Sequence, residues 1–170
     1  NGTQTLGGTG NIVFDGTSHL YRQTAGTALT IGPNVTVSGS GTGTAYLGYY
    51  ADETINFQGV LNANVSGKTW YLGGFNNTGN INVSNGTVHL AAVSGTGTWT
   101  NTGAVTKGIA VSGGILNLGD AFNASTLGNI VQSGSGVVNL TGAMTLNQAS
   151  TNLSTVGLTS LVVTGSAEII

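Results

Sequence analysis

Apolar and polar positions alternate along this chain in short bursts. Asn82 separates Ile81 from Val83, and His89 separates Val88 from Leu90. Such alternation predicts half-buried strands with the apolar set on one face. The unit returns: INVSNGTVHL at 81–90 becomes IAVSGGILNL at 109–118 and, more loosely, IVQSGSGVVNL at 130–140. Each copy is a strand, a Gly-containing corner and a second strand. Amphipathic runs rich in Ala, Glu, Lys and Leu, which would feed helices, are missing.

Ser84-Asn85-Gly86-Thr87 has two readings. As a hairpin turn it would pair its flanking strands antiparallel, and a sandwich of hairpins would follow. As a corner of a coil it would leave each strand to pair with its copy one turn away. The spacing favours the coil. YLGYY begins at Tyr46 and YLGGF at Tyr71, and Tyr21 of LYR stands the same interval upstream of Tyr46. Equal blocks of nearly the same length then open at Trp99, Asn123 and Asn147. A period of this size signals a solenoid. The expected fold is one all-β domain over residues 1–170: a parallel β-helix (solenoid) of about seven turns of 24–28 residues.

Several finer expectations follow. Ile81, Val83, Val88, Leu90, Leu116, Leu118, Val138 and Leu140 should stack in inward files. Asn82, His89, Asn117 and Asn139 should face outward. Ile81 should meet the neighbourhoods of Ile55 and Ile109 in parallel. Gly and Asn at the corners should tolerate left-handed backbone. Tyr21, Tyr46 and Tyr71 should form a stacked file.

Composition agrees with strands and corners. Gly numbers 30, Thr 26, Asn 18 and Ser 14, while only 5% of residues are charged. Yet 39% are apolar, enough for a core. The three basic residues, Arg22, Lys68 and Lys107, make no basic patch, so nucleic acid is not an expected partner. No apolar run approaches the length of a membrane-spanning helix, so no membrane insertion is expected. Cys is absent. The pattern runs to both ends of the chain, as expected of a mature product or an excised segment.

FNNTGNINVSNGTVHL, GTGTWTNTG, GGILNLGDAFNASTLGNIVQSGSGVVNLTG and MTLN resemble repeats of very long bacterial surface proteins, the filamentous-haemagglutinin-like adhesins and autotransporter passenger domains. The likeness runs through residues 70–146. It implies a secreted or cell-surface right-handed β-helix, a stalk or adhesive surface without catalysis. The secretion-domain Asn-Pro-Asn motif is missing (the only proline is Pro33), as is an amphipathic barrel-forming tail. The chain therefore resembles a shaft segment. Its expected partners are flanking repeats of a longer chain or further copies stacked end to end.

Candidate chemistry is sparse. β-Helices also host polysaccharide-cleaving enzymes, which need clustered carboxylates. The acids here are Asp15, Asp52, Glu53, Asp120 and Glu168. Only Asp52 and Glu53 are neighbours, and adjacent strand residues point to opposite faces. The calcium nonapeptide has only a poor echo in GTGNIVFDG at 8–16. His19 and His89 have no second ligand at metal spacing. No catalytic residue, metal site or cofactor is expected. Seven of eleven aromatics lie in residues 46–75. Exposed rings of Tyr49, Tyr50, Trp70 and Tyr71 would offer a platform for surface glycans, the alternative to a purely structural role. TGTWTNTG at 96–103 suggests an ice-binding array, but the Thr positions show no common register in the sequence. Nine Asn-x-Ser/Thr sequons occur, at Asn1, Asn34, Asn64, Asn76, Asn82, Asn85, Asn123, Asn139 and Asn152, as candidate N-glycosylation sites.

Overall fold

A computed structural model describes residues 2–104, 106–146, 158–165 and 167–170. Every strand pair in it is parallel, and the chain winds into a β-solenoid of about six turns, close to the seven expected. Each turn crosses three faces. The first face carries Gln4–Leu6, Ala28–Ile31, Thr54–Phe57, Phe75–Asn77 and Thr100–Asn101. The second carries Gly10–Asp15, Val35–Ser40, Val60–Ala63, Asn80–Val83, Gly108–Val111 and Ile130–Gln132. The third carries Ser18–Leu20, Gly43–Leu47, Lys68–Leu72, Thr87–Leu90, Ile115–Leu118, Val137–Leu140 and Val162–Val163. A smaller sheet of Ala121–Asn123, Ala143–Thr145 and Glu168–Ile169 follows the third face in the later turns.

The strand–corner–strand unit is thus two faces out of three. Ile81–Val83 pairs in parallel with Leu61–Ala63 on one side and Ile109–Val111 on the other. It makes no antiparallel pair with Val88–Leu90, which lies on the next face between Trp70 and Leu116–Leu118. The expected contact with Ile109 is present. The contact with Ile55 is not, because Ile55 belongs to the first face and pairs with Leu29 and Phe75. Turn length is also more variable than expected. The step from Thr69 to its partner Thr87 is far shorter than the step from Asn80 to its partner Gly108. The corners absorb the difference while the strands stay in register.

The corner at Ser84–Gly86 works by close approach rather than by left-handed backbone. The N–H groups of Ser84, Asn85 and Gly86 all donate to Ala63 O, at 3.0 to 3.2 Å. Neither Asn85 nor Gly86 has positive φ. Gly86, Gly114 and Gly136 follow one another along this edge, since Ile115 N–H bonds Gly86 O and Val137 N–H bonds Gly114 O. A Cβ on Gly114 would sit 2.5 Å from Gly86 O, and one on Gly136 would collide with Val111 O. A side chain here would push adjacent turns apart.

The eight inward residues named from the sequence are at most 1% exposed. Each such aliphatic side chain contributes about 1.5–3 kcal/mol by burial. The core also takes polar groups, and they join turns. Asn101, fully buried, accepts from Asn77 Nδ2 at 2.8 Å and donates to Leu127 O and Asn129 O at 2.7 and 3.1 Å. Gln132 binds Gly136 O, Ser160 Oγ and the N–H groups of Thr159 and Ser160. Lys68 runs inside the coil under Gly39, whose missing side chain makes room for it. Its Nζ donates to Phe14 O at 2.8 Å, to Gly16 O at 2.5 Å and more weakly to Ser40 O at 3.4 Å. Burial lowers the Lys68 pKa, against a smaller opposing effect of the Asp15 carboxylate.

The buried amides should matter far more than those outside. Asn101→Ala strands two carbonyls and the Asn77 amide, and should cost about 2–4 kcal/mol in urea unfolding. Asn82→Ala removes an exposed contact to Asn62 Oδ1 and should stay within about 0.5 kcal/mol. Equal losses would refute this assignment.

Candidate functional site

The outward residues of the third face form a continuous stack. Leu47, Trp70, Leu72, Val88 and Leu90 fill the inward positions, so the residues between them point out. Parallel register places His19 opposite Tyr46, Tyr46 opposite Tyr71, and Tyr71 opposite His89. The rings stack at centroid distances of 4.4, 5.7 and 4.5 Å with interplanar angles of 12°, 17° and 6°. Asn117 and Asn139 continue the file. Asn117 Nδ2 lies 3.3 Å from the His89 ring nitrogens, and Asn139 Nδ2 donates to Asn117 Oδ1 at 2.8 Å. Asn117 points outward as expected but is buried, because its neighbours in the file cover it. Burial lowers the His89 pKa from 6.5, so the ring stacks in its neutral form at neutral pH.

The Tyr46–Tyr71 stack stands at the interval the sequence indicates, but Tyr21 does not join it. His19, not Tyr21, meets Tyr46, because this turn is longer than the tyrosine interval, as the bond from Thr44 back to Thr17 also records. Beside the aromatic file runs a second one, Thr44, Thr69 and Thr87, in strict register. Thr44 N–H bonds Thr17 Oγ1 at 3.3 Å, which extends the series by one turn. This is a single file of other threonines, not the array of Thr pairs suggested at 96–103. Variable turn length hides this file in the sequence.

A tyrosine corner stands at one end of the stack. Tyr49 packs on Tyr46 at 5.5 Å and on Tyr50 at 5.0 Å, and Tyr21 meets Tyr50 edge to face at 6.1 Å. Tyr50 is 44% exposed and Tyr21 38%. The backbone holds these rings in place. Gly48 has φ of +81°, and a Cβ there would collide with Gly73 O, so only glycine fits. Glu53 N–H bonds Tyr50 O, and Ala51 N–H bonds Ser94 O two turns on. Arg22 clamps the loop from the other side, bonding Asp52 O and pairing with the Asp52 carboxylate at 2.6 Å.

Asp52 and Glu53 do point apart. Asp52 is exposed and paired, while Glu53 is buried, with Oε2 accepting Tyr49 N–H at 2.8 Å and Oε1 unpartnered. Burial raises the Glu53 pKa. The N–H groups of Tyr49 and Tyr50 and the Arg22 charge oppose that shift, and Asp52 adds to it slightly. Of the four rings named for glycan contact, Tyr49, Tyr50 and Tyr71 lie on this surface. Trp70 does not. It is 1% exposed, packed edge-on against Phe14 at 5.2 Å in the core, because it shares its parity with Lys68 and Leu72. Tyr21 and Tyr46, expected only in a stabilising file, join the surface. So does His19, which no spacing in the sequence marked.

The sequons are unequal. Asn34, Asn64 and Asn85 are exposed at corners or in loops. Asn82 is exposed but its Nδ2 donates to Asn62, and the Nδ2 atoms of Asn76 and Asn139 donate to Asn56 and Asn117. Asn123 is half-buried, with Oδ1 enclosed. Asn1 and Asn152 lie outside the described residues. Among the described residues, no group of three His, Cys, Asp or Glu side chains is placed to hold a metal. No helix among them is long and apolar enough to cross a membrane. Compared with protein-family models, curated proteins and solved structures, the chain matches none.

Glu53 gives this corner a titration of its own. The folded state holds the Glu53 proton more tightly than the unfolded chain. Its contribution to stability is therefore full below its ordinary value of 4.5 and is lost as pH rises toward the raised value. Glu53→Gln removes the titration. The stability of the wild type relative to the variant should fall as pH rises above about 4.5 in urea unfolding. A difference that stays constant over this range would contradict the assignment.

Proposed function

We propose that this chain is a non-catalytic structural and adhesive segment of an extracellular β-solenoid, a shaft whose outer faces are its working surface. One observation carries the reading: the buried polar side chains are spent on joining turns. Lys68 reaches past the adjacent turn to the carbonyls of Phe14 and Gly16, and Asn101 and Gln132 bond to the turns beside them. Groups engaged in this way hold a coil together and are not free for chemistry. The Arg22–Asp52 pair and the Glu53 bond to Tyr49 likewise fix a loop. Freedom from Cys and a charge content of 5% suit a secreted or cell-surface setting.

The outermost strands support a coil that continues. Gln4–Leu6 and Ser18–Leu20 at one end, and Val162–Val163 and Glu168–Ile169 at the other, each have a strand partner on one side only among the described residues. Val13, Val163, Ile169 and Ile170 lie exposed near these edges. Such an edge accepts another parallel turn, supplied by flanking repeats or by a second copy. The second reading, a carbohydrate-binding surface, is favoured by the exposed rings of Tyr21 and Tyr50.

Two measurements test the shaft. Incubation of the purified chain with a panel of polysaccharides should release no new reducing ends. Cleavage that disappears in Glu53→Gln or Asp52→Asn would overturn the non-catalytic reading. Sedimentation and electron microscopy at high concentration separate the two kinds of continuation. Filaments many times longer than one coil indicate subunit stacking, and a stable monomer leaves covalent repeats as the continuation.

A further inference from the structure

We propose that the third face binds a neutral, linear polysaccharide laid along the coil axis, with its end sugar stacked on Tyr50, beside Tyr21. The argument begins with geometry. Neighbouring strands lie about 4.8 Å apart, and alternate residues in a strand about 6.6 Å apart. The files Thr44–Thr69–Thr87 and Tyr46–Tyr71–His89 therefore form a flat grating of polar groups, one pair per turn. A partner that makes the same contact at every turn must itself repeat at close to the strand spacing. An extended chain of pyranose rings advances by about that much per sugar, and few folded surfaces do.

The chemistry of the grating narrows the partner further. Neither file holds a charged side chain, and the nearby Lys68 is turned inside the coil. A charged polymer would find no counter-charge there, so a neutral one is selected. The stacked rings of Tyr46, Tyr71 and His89 cover one another's faces and present their edges outward. Together with the threonines the tyrosines offer hydroxyl hydrogen-bonding groups, the complement of a hydroxyl-rich chain. What the file lacks is a well-exposed ring, and the corner supplies it. Tyr50 and Tyr21 stand edge to face, interplanar angle 77°, and are the most exposed tyrosines. Glu53, the Arg22–Asp52 pair and Gly48 fix the loop behind them, so little conformational freedom is lost when a sugar stacks.

The experiment is a pull-down with amorphous cellulose, chitin and xylan as neutral polymers and alginate as the anionic control. Calorimetry with a soluble oligosaccharide series of the retaining polymer follows. The wild type should be retained by at least one neutral polymer and not by alginate. A hexasaccharide should bind about ten-fold more tightly than a disaccharide, because it spans several turns. Tyr50→Ala should weaken binding about ten-fold. The paired change Thr69→Val with Thr87→Val keeps side-chain shape, loses two hydroxyls and should weaken binding by a smaller factor. Thermal unfolding within a few degrees of wild type shows that these surface variants keep the coil. No retention on any neutral polymer overturns the proposal, as does equal retention on alginate. Affinity that does not grow beyond the disaccharide overturns the axial placement, and undiminished binding by both variants overturns the face. Each failure leaves the shaft reading standing, since that rests on cleavage and sedimentation.

Discussion

The structure depends on one constraint: each turn must lay its backbone on the turn before it in register. The parallel ladder uses the N–H and C=O groups of every strand, and it fixes which side chains meet. A residue touches the residue at the same position one turn away rather than its sequence neighbour. Inward positions then become files of Val, Leu and Ile. Outward positions become amide and aromatic stacks, and one corner becomes a line of glycines. The Asn76–Asn56, Asn82–Asn62 and Asn139–Asn117 bonds are three instances of one relation.

The same constraint decides what a polar side chain can do inside the coil. The space between turns is too narrow for bulk solvent, so a buried donor must find a carbonyl or amide on an adjacent turn. Asn101 does so on both sides. Lys68 passes over one turn to reach the next, and that requires Gly39 in between. Glu53 is different, with one oxygen satisfied and the other not. Its unpaired oxygen and raised pKa lie behind the loop that presents Tyr50 edge to face with Tyr21.

The inward files were legible in the sequence because strand parity has a period of two and tolerates no slip. The coil was legible because its corners recur. Register between turns was not, and the reason is physical: corners take insertions without disturbing strands. A long turn brings His19 to Tyr46 and a short one brings Thr69 to Thr87, so one fixed interval finds Tyr46–Tyr71 and Thr44–Thr69 but misses the other members of both files. Trp70 shows a second limit. In KTWYL the parity set by Leu72 sends Trp70 inward with Lys68, and a lysine in the core is what composition argues against. The lysine is there because three carbonyls, one and two turns away, accept from it.

Stacking in register also accounts for the scarcity of charge. Repetition copies a side chain onto itself about 4.8 Å away. Two like charges at that distance repel by about 1 kcal/mol even in water, and by more at a partly buried surface. Asn, Thr, Tyr and neutral His gain from the same copying, through amide bonds, hydroxyl contacts and ring stacking. The charged side chains that remain avoid stacking in files of their own sign. Lys68 is alone in the core, Arg22 is paired with Asp52, and Asp120 accepts Ala92 N–H at a corner. The neutral outer face is therefore a consequence of building by repetition.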